Sequence, residues 1–334
     1  MFETLVANVL NKFLGDYVSN LETTQLNIAI WKGDVKLRGL KLRKEALDKF
    51  NLPIDVLEGY LGELTLKIPW QNLKTQPVRV FIDNVYILAA PRRDTSYDQN
   101  EEEERLQKLK QEKLETAELL HTQPSSAPTN NDAKSNSFTL QLVTKIVDNL
   151  QVSINNIHIR YEDQISNPDH PFSVGVTLSE LSAVSTDENW NETFISQPTD
   201  AVHKLLKLKS LGVYWNTESK SLAGKSYEEF IRSFTSLITS EKNNSLEHQF
   251  VLKPVSGAGR LILNKSFNAD KAKNVALLLF DEFGFVIDDE QYRDLLLLAN
   301  LFEYSIRQEK YRSFRPPRDV SPKDDPKAWL RFAG

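Results

Sequence analysis

Apolar residues recur at every second position along most of this chain, the period of strands that bury one face and leave the other polar. Leu26, Ile28 and Ile30 alternate with polar or small residues, and Lys32-Gly33-Asp34 turns the chain into Val35, Leu37, Leu40 and Leu42, predicting a hairpin. Further strands are predicted at Ile54 to Leu57, Tyr60 to Ile68, Val78 to Leu88, Val152 to Tyr161 and Phe172 to Val184. Leu205 to Trp215, Gln249 to Val255, Arg260 to Leu263 and Val275 to Ile287 complete the set. Before the first strand the period is helical: Phe2, Leu5, Val6, Val9, Leu10, Phe13, Leu14, Tyr17, Val18 and Leu21 line one stripe. Its polar side holds only one base, which favours a cap docked on the sheet over a helix lying in an anionic membrane. Helices are also predicted at Phe138 to Leu150, Tyr227 to Ile238 and Asp289 to Tyr311, the second opened by the capping box of Ser226 and Glu229.

One strand signature repeats: apolar, any, apolar, two polar residues, apolar, any, apolar. It occurs at Val35 to Leu42, Val80 to Ile87, Val152 to Ile159, Val176 to Ala183, Leu206 to Val213 and Leu278 to Phe285. In a regular strand the doubled polar pair turns the second half to the opposite face, so a bulge is expected at each pair to keep the apolar side on one surface. Val80-Phe81-Ile82-Asp83-Asn84-Val85-Tyr86-Ile87 and Val152-Ser153-Ile154-Asn155-Asn156-Ile157-His158-Ile159 are the most alike. The bland reading is a sheet covered by its own helices. Because a helix about 10 Å wide spans roughly two strands, the predicted helices need not cover the whole face, and if part of it stays open it calls for a ligand or partner.

Asp98 to Leu120 reads as a polar helix with Glu101–Arg105 and Glu104–Lys108 pairs, a solvated face, and the Ser, Pro, Asn and Thr of Thr122 to Ser137 predict a disordered insertion. Strands resume beyond it. With 334 residues, 40% hydrophobic and 26% charged, the chain has the composition of a folded protein. A net charge of -5 provides no global attraction to nucleic acid or anionic membrane. Cysteine is absent, which excludes disulfides, thiolate metal sites and cysteine nucleophiles and suits a reducing compartment. No stretch approaches the roughly 20 apolar residues of a membrane-spanning helix, and no basic n-region opens the chain, so a cytoplasmic location is expected.

Catalytic chemistry finds no support. His121, His158, His170, His203 and His248 lack metal-ligand spacing, and Gly257-Ala258-Gly259 lacks the third glycine of a dinucleotide loop. Tyr161-Glu162-Asp163 with Asn167-Pro168-Asp169-His170-Pro171 gathers acids and a histidine, but a turn built by Asn, Pro and Asp explains it more simply than a metal or acid-base site. Lys36, Arg38, Lys41, Arg43 and Lys44 form a basic outer face without the interleaved aromatics of a nucleic-acid platform; solvation is the plain reading and anionic headgroup contact the alternative.

The opening Met1-Phe2-Glu3 and the run Ile30-Trp31-Lys32-Gly33-Asp34-Val35-Lys36-Leu37-Arg38-Gly39-Leu40 resemble the N-terminal chorein domain. Arg160-Tyr161-Glu162-Asp163, Gly175-Val176-Thr177-Leu178, Ser185-Thr186-Asp187 and Val213-Tyr214-Trp215-Asn216 extend the resemblance, over nearly the whole chain, to the vacuolar protein sorting-associated protein 13 (chorein) family. Autophagy-related protein 2 shares the first domain, is less similar beyond about residue 100 and ranks second. The resemblance implies a bridge-like lipid transporter that carries glycerophospholipids between organelle membranes, with its N-terminal end at the endoplasmic reticulum. It implies membrane protein partners such as scramblases or adaptors, a peripheral location at contact sites, a role in autophagy and protein sorting, no catalytic motif and no cofactor beyond the lipid cargo. It also implies a fragment of a longer protein, as does the helix that Asp325 and Pro326 open close to Gly334.

The expected fold is mainly β with helices: a long, curved, largely antiparallel sheet forming an apolar groove, capped by the N-terminal amphipathic helix. Residues 1–120 form the chorein domain, 121–137 a disordered linker, and 138–334 continue the same sheet with covering helices. The residues expected to hold acyl chains are Leu64, Leu66, Ile68, Val80, Ile82, Val85, Ile87, Val152, Ile154, Ile157, Ile159, Val174, Val176, Leu178, Leu206, Leu208, Leu211, Val213, Leu261 and Leu263. Alternation leaves the direction of Phe81 and Ile262 open, since both neighbours of each are apolar. The competing function is a protein-binding tether or scaffold at membrane contact sites.

Overall fold

The computed structural model describes residues 15, 17–19, 33–44, 53–92, scattered positions between 103 and 114, 144–242 except 198, 248–265 and 272–333 apart from 312–313 and 317–319. Its body is one open eight-stranded sheet whose spatial order follows the sequence. The strands are β1 (Asp34–Lys41), β2 (Ile54–Lys67), β3 (Arg79–Pro91), β4 (Gln151–Asp163), β5 (Phe172–Thr186), β6 (Ala201–Asn216), β7 (Phe250–Asn264) and β8 (Asn274–Phe280). Every neighbouring pair is antiparallel except β3 and β4, which are parallel. A parallel pair needs a long crossover, and the charged segment and the insertion lie within this one.

That pairing explains the likeness of two segments. Val80 through Ile87 lie beside Val152 through Ile159 position for position. Each matched pair meets the same two surfaces, so the two segments satisfy the same demands.

Two pairs of predicted strands prove to be single ones. Ile54 to Leu57 and Tyr60 to Ile68 join in β2 through a bulge between Val56 and Glu58. Gln249 to Val255 and Arg260 to Leu263 join in β7, because Gly257 and Gly259 are strand residues opposite Leu208 and Leu206. A Cβ on Gly259 would lie 2.8 Å from Leu278 Cδ2, so the glycine marks close strand approach. Conversely, β8 ends at Phe280, short of the predicted Ile287, although the chain still follows β7 through Asp281 N–H to Ser256 O, Lys253 N–H to Gly284 O and a Leu252–Phe285 bridge.

The doubled polar pairs are not bulges of one strand against a regular neighbour. Leu61 pairs with Val85 and Leu64 with Ile82, so the same two-residue step occurs in both strands and the register is kept. It is kept likewise from β3 through β6. Only against β7 do three steps along β6, Leu208 to Leu211, meet two along β7, Gly257 to Val255. The steps line up into a seam across the sheet, and there Gly39, Asn84, Asn156 and Ser210 have φ values of 62°, 62°, 54° and 53°. This left-handed conformation suits glycine and is best tolerated by asparagine among the rest.

Helix α1 (Tyr227–Lys242) starts with the predicted capping box: Ser226 N–H donates to Glu229 Oε2 at 3.1 Å and Glu229 N–H to Ser226 Oγ at 3.3 Å. Its Phe230 and Phe234 pack on Tyr86 and Leu88, which alternate with Val85 and Ile87 and therefore face the other way. The helix expected to cover the apolar rows thus covers the opposite face. Helix α2 (Asp289–Tyr311) matches its predicted bounds, and α3 (Pro326–Ala333) begins where Asp325 Oδ1 accepts the Ala328 N–H. Of the predicted first helix only residues 15 and 17–19 are described; Val18 is buried and bridges Leu42. The strand predicted at Leu26 to Ile30 and the insertion lie outside the described residues, as does Phe138 to Leu150 before residue 144.

Candidate functional site: the apolar face of the sheet

Directly paired residues on neighbouring strands point to the same side of a sheet. Following the pairs from β1 to β8 gives one row of Val35, Leu66, Val80, Val152, Ala183, Leu206, Gly259 and Leu278. A second row, two residues along, is Leu37, Leu64, Ile82, Ile154, Leu181, Leu208, Gly257 and Phe280. Neither contains a polar side chain. Beyond the seam, Leu40, Leu61, Val85, Ile157 and Leu178 form a third row and Leu211 pairs with Val255. Gly59, Ile87, Ile159, Val176, Val213 and Leu252 form a fourth. Val174 stands in a fifth with Ala89, Tyr161 and Trp215. Leu261 and Leu263 extend the β7 side of Gly259 on the same surface, and Ile68 follows Leu64 and Leu66 at the same alternation.

The residues expected to touch acyl chains therefore share one face. The pairing also fixes the two undecided directions: Phe81 lies in a row with Thr65, Ser153, Ser182 and Lys207, and Ile262 pairs with His203, both on the polar face.

Cover over this face is uneven. Cover is greatest at β1 to β3: Leu64 and Leu66 are each 2% exposed, and Ile146 and Leu150 pack over the cluster they form with Val35, Ile68 and Val78, while Leu37, Val80, Ile82 and Val85 are half-buried. Ile154, Ile157, Leu181, Leu206, Leu208 and Leu211 are half-buried, and Leu278 is 52% exposed. At the end of β4 to β7, Leu298 of α2 packs against Phe172, Trp215 and Val251, and Phe302 meets Tyr161 edge-on at 6.1 Å. Asp288 and Gln291 cap α2 reciprocally, and Gln291 Nε2 donates to Trp215 O at 2.9 Å.

One charge escaped the sequence reading. Lys204 pairs with Leu261 and so stands on the apolar face, yet it is buried, with Nζ donating to Asp148 O, Leu150 O and Ser185 Oγ at 2.7–2.8 Å. Burial holds its pKa down at about 8. It clamps carbonyls at and just beyond the end of the helical residues 144–148 and leaves no donor for a ligand. Its alternation with Leu206 and Leu208 was the available signal.

The acid cluster near His170 is structural. Asp163 Oδ1 accepts the N–H groups of Ile165 and Ser166, and Oδ2 the hydroxyls of Tyr161 and Ser166, which builds the β4–β5 turn. Glu162 pairs with Arg160 at 2.8 Å and accepts from Ser221, Leu222 and Ala223. Among the described residues no group of acids and histidines is arranged to hold a metal. On the basic outer face, Lys36 and Arg38 both pair with Glu63, whose pKa their hydrogen bonds lower to about 2, and Lys41 pairs with Glu58. Across strands this is the solvated, mutually neutralised face of the plain reading.

Comparison with known proteins places this architecture. The chain matches the VPS13-like family N-terminal region over residues 1–334. The chain belongs to that family. It is 46% identical over 346 residues to the intermembrane lipid transfer protein VPS13 of Chaetomium thermophilum, a match covering 100% of this chain and 11% of that protein. It is 38% identical to vps13A of Dictyostelium discoideum (100% of this chain, 10% of the relative) and 36% identical to VPS13A of Mus musculus (95% and 10%). Both are likewise named intermembrane lipid transfer proteins. The chain spans about a tenth of the length of these curated relatives. The resemblance noted in the sequence is thereby a family membership, and the relatives bear the name of lipid transfer rather than of a reaction. Among the described residues no helix is long and apolar enough to cross a membrane.

Proposed function

We propose that this chain is a non-catalytic lipid-binding module that holds glycerophospholipid acyl chains against the apolar face of its sheet. It would serve non-vesicular transfer between organelle membranes, acting as a peripheral protein at their contact sites. The observation that carries the reading is the pair of rows without a polar side chain that cross all eight strands. With strands about 4.8 Å apart, eight strands extend such a row to about 34 Å. A bilayer leaflet has only about 15 Å of hydrocarbon, so an acyl chain fits along the row. Shielding about 0.8 kcal/mol per CH₂ from water removes the main obstacle to lipid leaving a bilayer, and no bond need be made or broken. Headgroups would stay near solvent, and membrane proteins such as scramblases or adaptors would deliver and accept the lipid at the two membranes, the endoplasmic reticulum at the N-terminal end.

Ile82, Ile154 and Leu208 lie in one row. Replacing all three by Asp should abolish uptake of a fluorescent phospholipid while circular dichroism is unchanged. Uptake at the wild-type level by the folded variant would show that lipid does not use this face.

A second reading, a tether that binds protein, is favoured by β8. Its Val275, Leu277 and Leu279 are exposed and pair with Ile262, Arg260 and Ala258 on the face opposite the rows, where acyl chains would not lie. Loss of a protein contact with intact lipid uptake on changing these residues would assign that surface to the tether.

A further inference from the structure

β3 and β4 are the only described neighbours joined in parallel, and the chain between them is long enough to set no register. A slip of β4 by one residue there would put His158 on the apolar side and bury Ile157 and Ile159 against α1, beside Tyr86. Something other than the connection must fix this junction. At the seam, Asn155 Nδ2 donates to Asp83 Oδ1 at 2.7 Å and Asn156 Nδ2 donates to Asn84 Oδ1 at 3.1 Å. Tyr86 also donates to Asn84 Oδ1, at 3.3 Å, which ties the pair to the aromatic layer under α1. Asn84 and Asn156 are both left-handed, so the two strands step at the same level. Without the step, alternation would send Ile154 and Ile157 to opposite faces; with it, each stands in an apolar row, beside Ile82 and Val85 respectively.

We propose that this seam is the register key of the apolar face, and that Asn84 and Asn156 are positioning residues: their left-handed backbone keeps the rows on the two sides of the seam on one surface, and their amide pair adds to the hold of β4 on β3. The proposal deepens the lipid-binding reading and rests on it for its use. The key is local and chemical. Asparagine tolerates the left-handed region and supplies both a donor and an acceptor, whereas glycine supplies only the conformation and a β-branched residue supplies neither.

The absence of native cysteine allows a test that reads the face with and without lipid. Ile157 and Leu178 are directly paired, so the double variant Ile157→Cys, Leu178→Cys should be joined by a short bis-thiol cross-linker when both side chains share a face. On that background Asn156→Gly should fold and keep the cross-link, and Asn156→Val should lose it. In parallel, a phospholipid with a photoreactive acyl chain should label β4 at both Ile154 and Ile157 in wild type and in Asn156→Gly, and at Ile154 alone in Asn156→Val. A folded Asn156→Val variant that keeps the thiol cross-link, or an Asn156→Gly variant that loses it or fails to fold, overturns the proposal. If Asn156→Val does not fold, the glycine variant decides. No photolabelling of wild type, with the thiol results as expected, would contradict lipid binding while leaving the register key standing.

Discussion

His158 is fully buried in the aromatic layer under α1, where its Nε2 lies 2.9 Å from the Tyr214 hydroxyl and its ring meets Phe234 edge-on. Burial first, then the neighbouring His248 and Arg160, lower its pKa from 6.5 to about 3. The folded protein therefore keeps this imidazole neutral at pH values where the unfolded chain takes up a proton. Its contribution to stability is whole above pH 6.5 and is lost as the pH falls from there toward 3, about 2 kcal/mol by pH 5. Denaturant melts of wild type and His158→Phe at pH 7.5 and pH 5 should show a smaller acid loss in the variant by about that amount; equal losses would mean His158 is not held neutral. The same residue shows what alternation can and cannot reveal. His158 sits between Ile157 and Ile159 on an outward position, and a polar residue there reads as solvated until α1, far along the sequence, is placed over it.

Among the elements, α1 illustrates how a polar pair governs packing at a distance. Glu162 is buried beside Arg160 and accepts hydrogen bonds from the backbone of Leu222 and Ala223, fixing the loop that leads to Ser226 and the start of α1. Glu162→Ala leaves the guanidinium buried without its carboxylate and should cost about 3–5 kcal/mol in a denaturant melt, with faster hydrogen exchange in α1. Less than about 1 kcal/mol would show that the loop is held by other contacts. Most elements were legible from their periodicity: the strand Phe172 to Val184 became Phe172–Thr186, and the helix Asp289 to Tyr311 was met at both ends. Errors fell where one residue type serves two ends. Gly257 and Gly259 interrupted the alternation and split one strand into two but allow close approach within β7, and the doubled polar pairs suggested separate bulges because their alignment across strands is a tertiary fact. The side on which α1 docks was equally invisible, since its apolar stripe fits either face.

On the scale of the whole molecule, the sheet separates two chemistries along its length. Its polar face pairs charges across strands and carries α1, while the rows on the other face change from most covered at β1 to β3 to exposed at β8. The chosen residues fell on one surface because period-two alternation fixes the face within a strand and the repeated signature carries it past the seam. Lys204 was missed because the carbonyls that accept its hydrogen bonds come from residues 148 and 150, brought to it only by the fold. Lipid occupancy is the claim on which this picture turns. Native mass spectrometry of the purified chain measures it directly: the account predicts phospholipid bound to folded protein, released on denaturation. A folded protein that carries no phospholipid, and gains none when incubated with phospholipid vesicles, would contradict it.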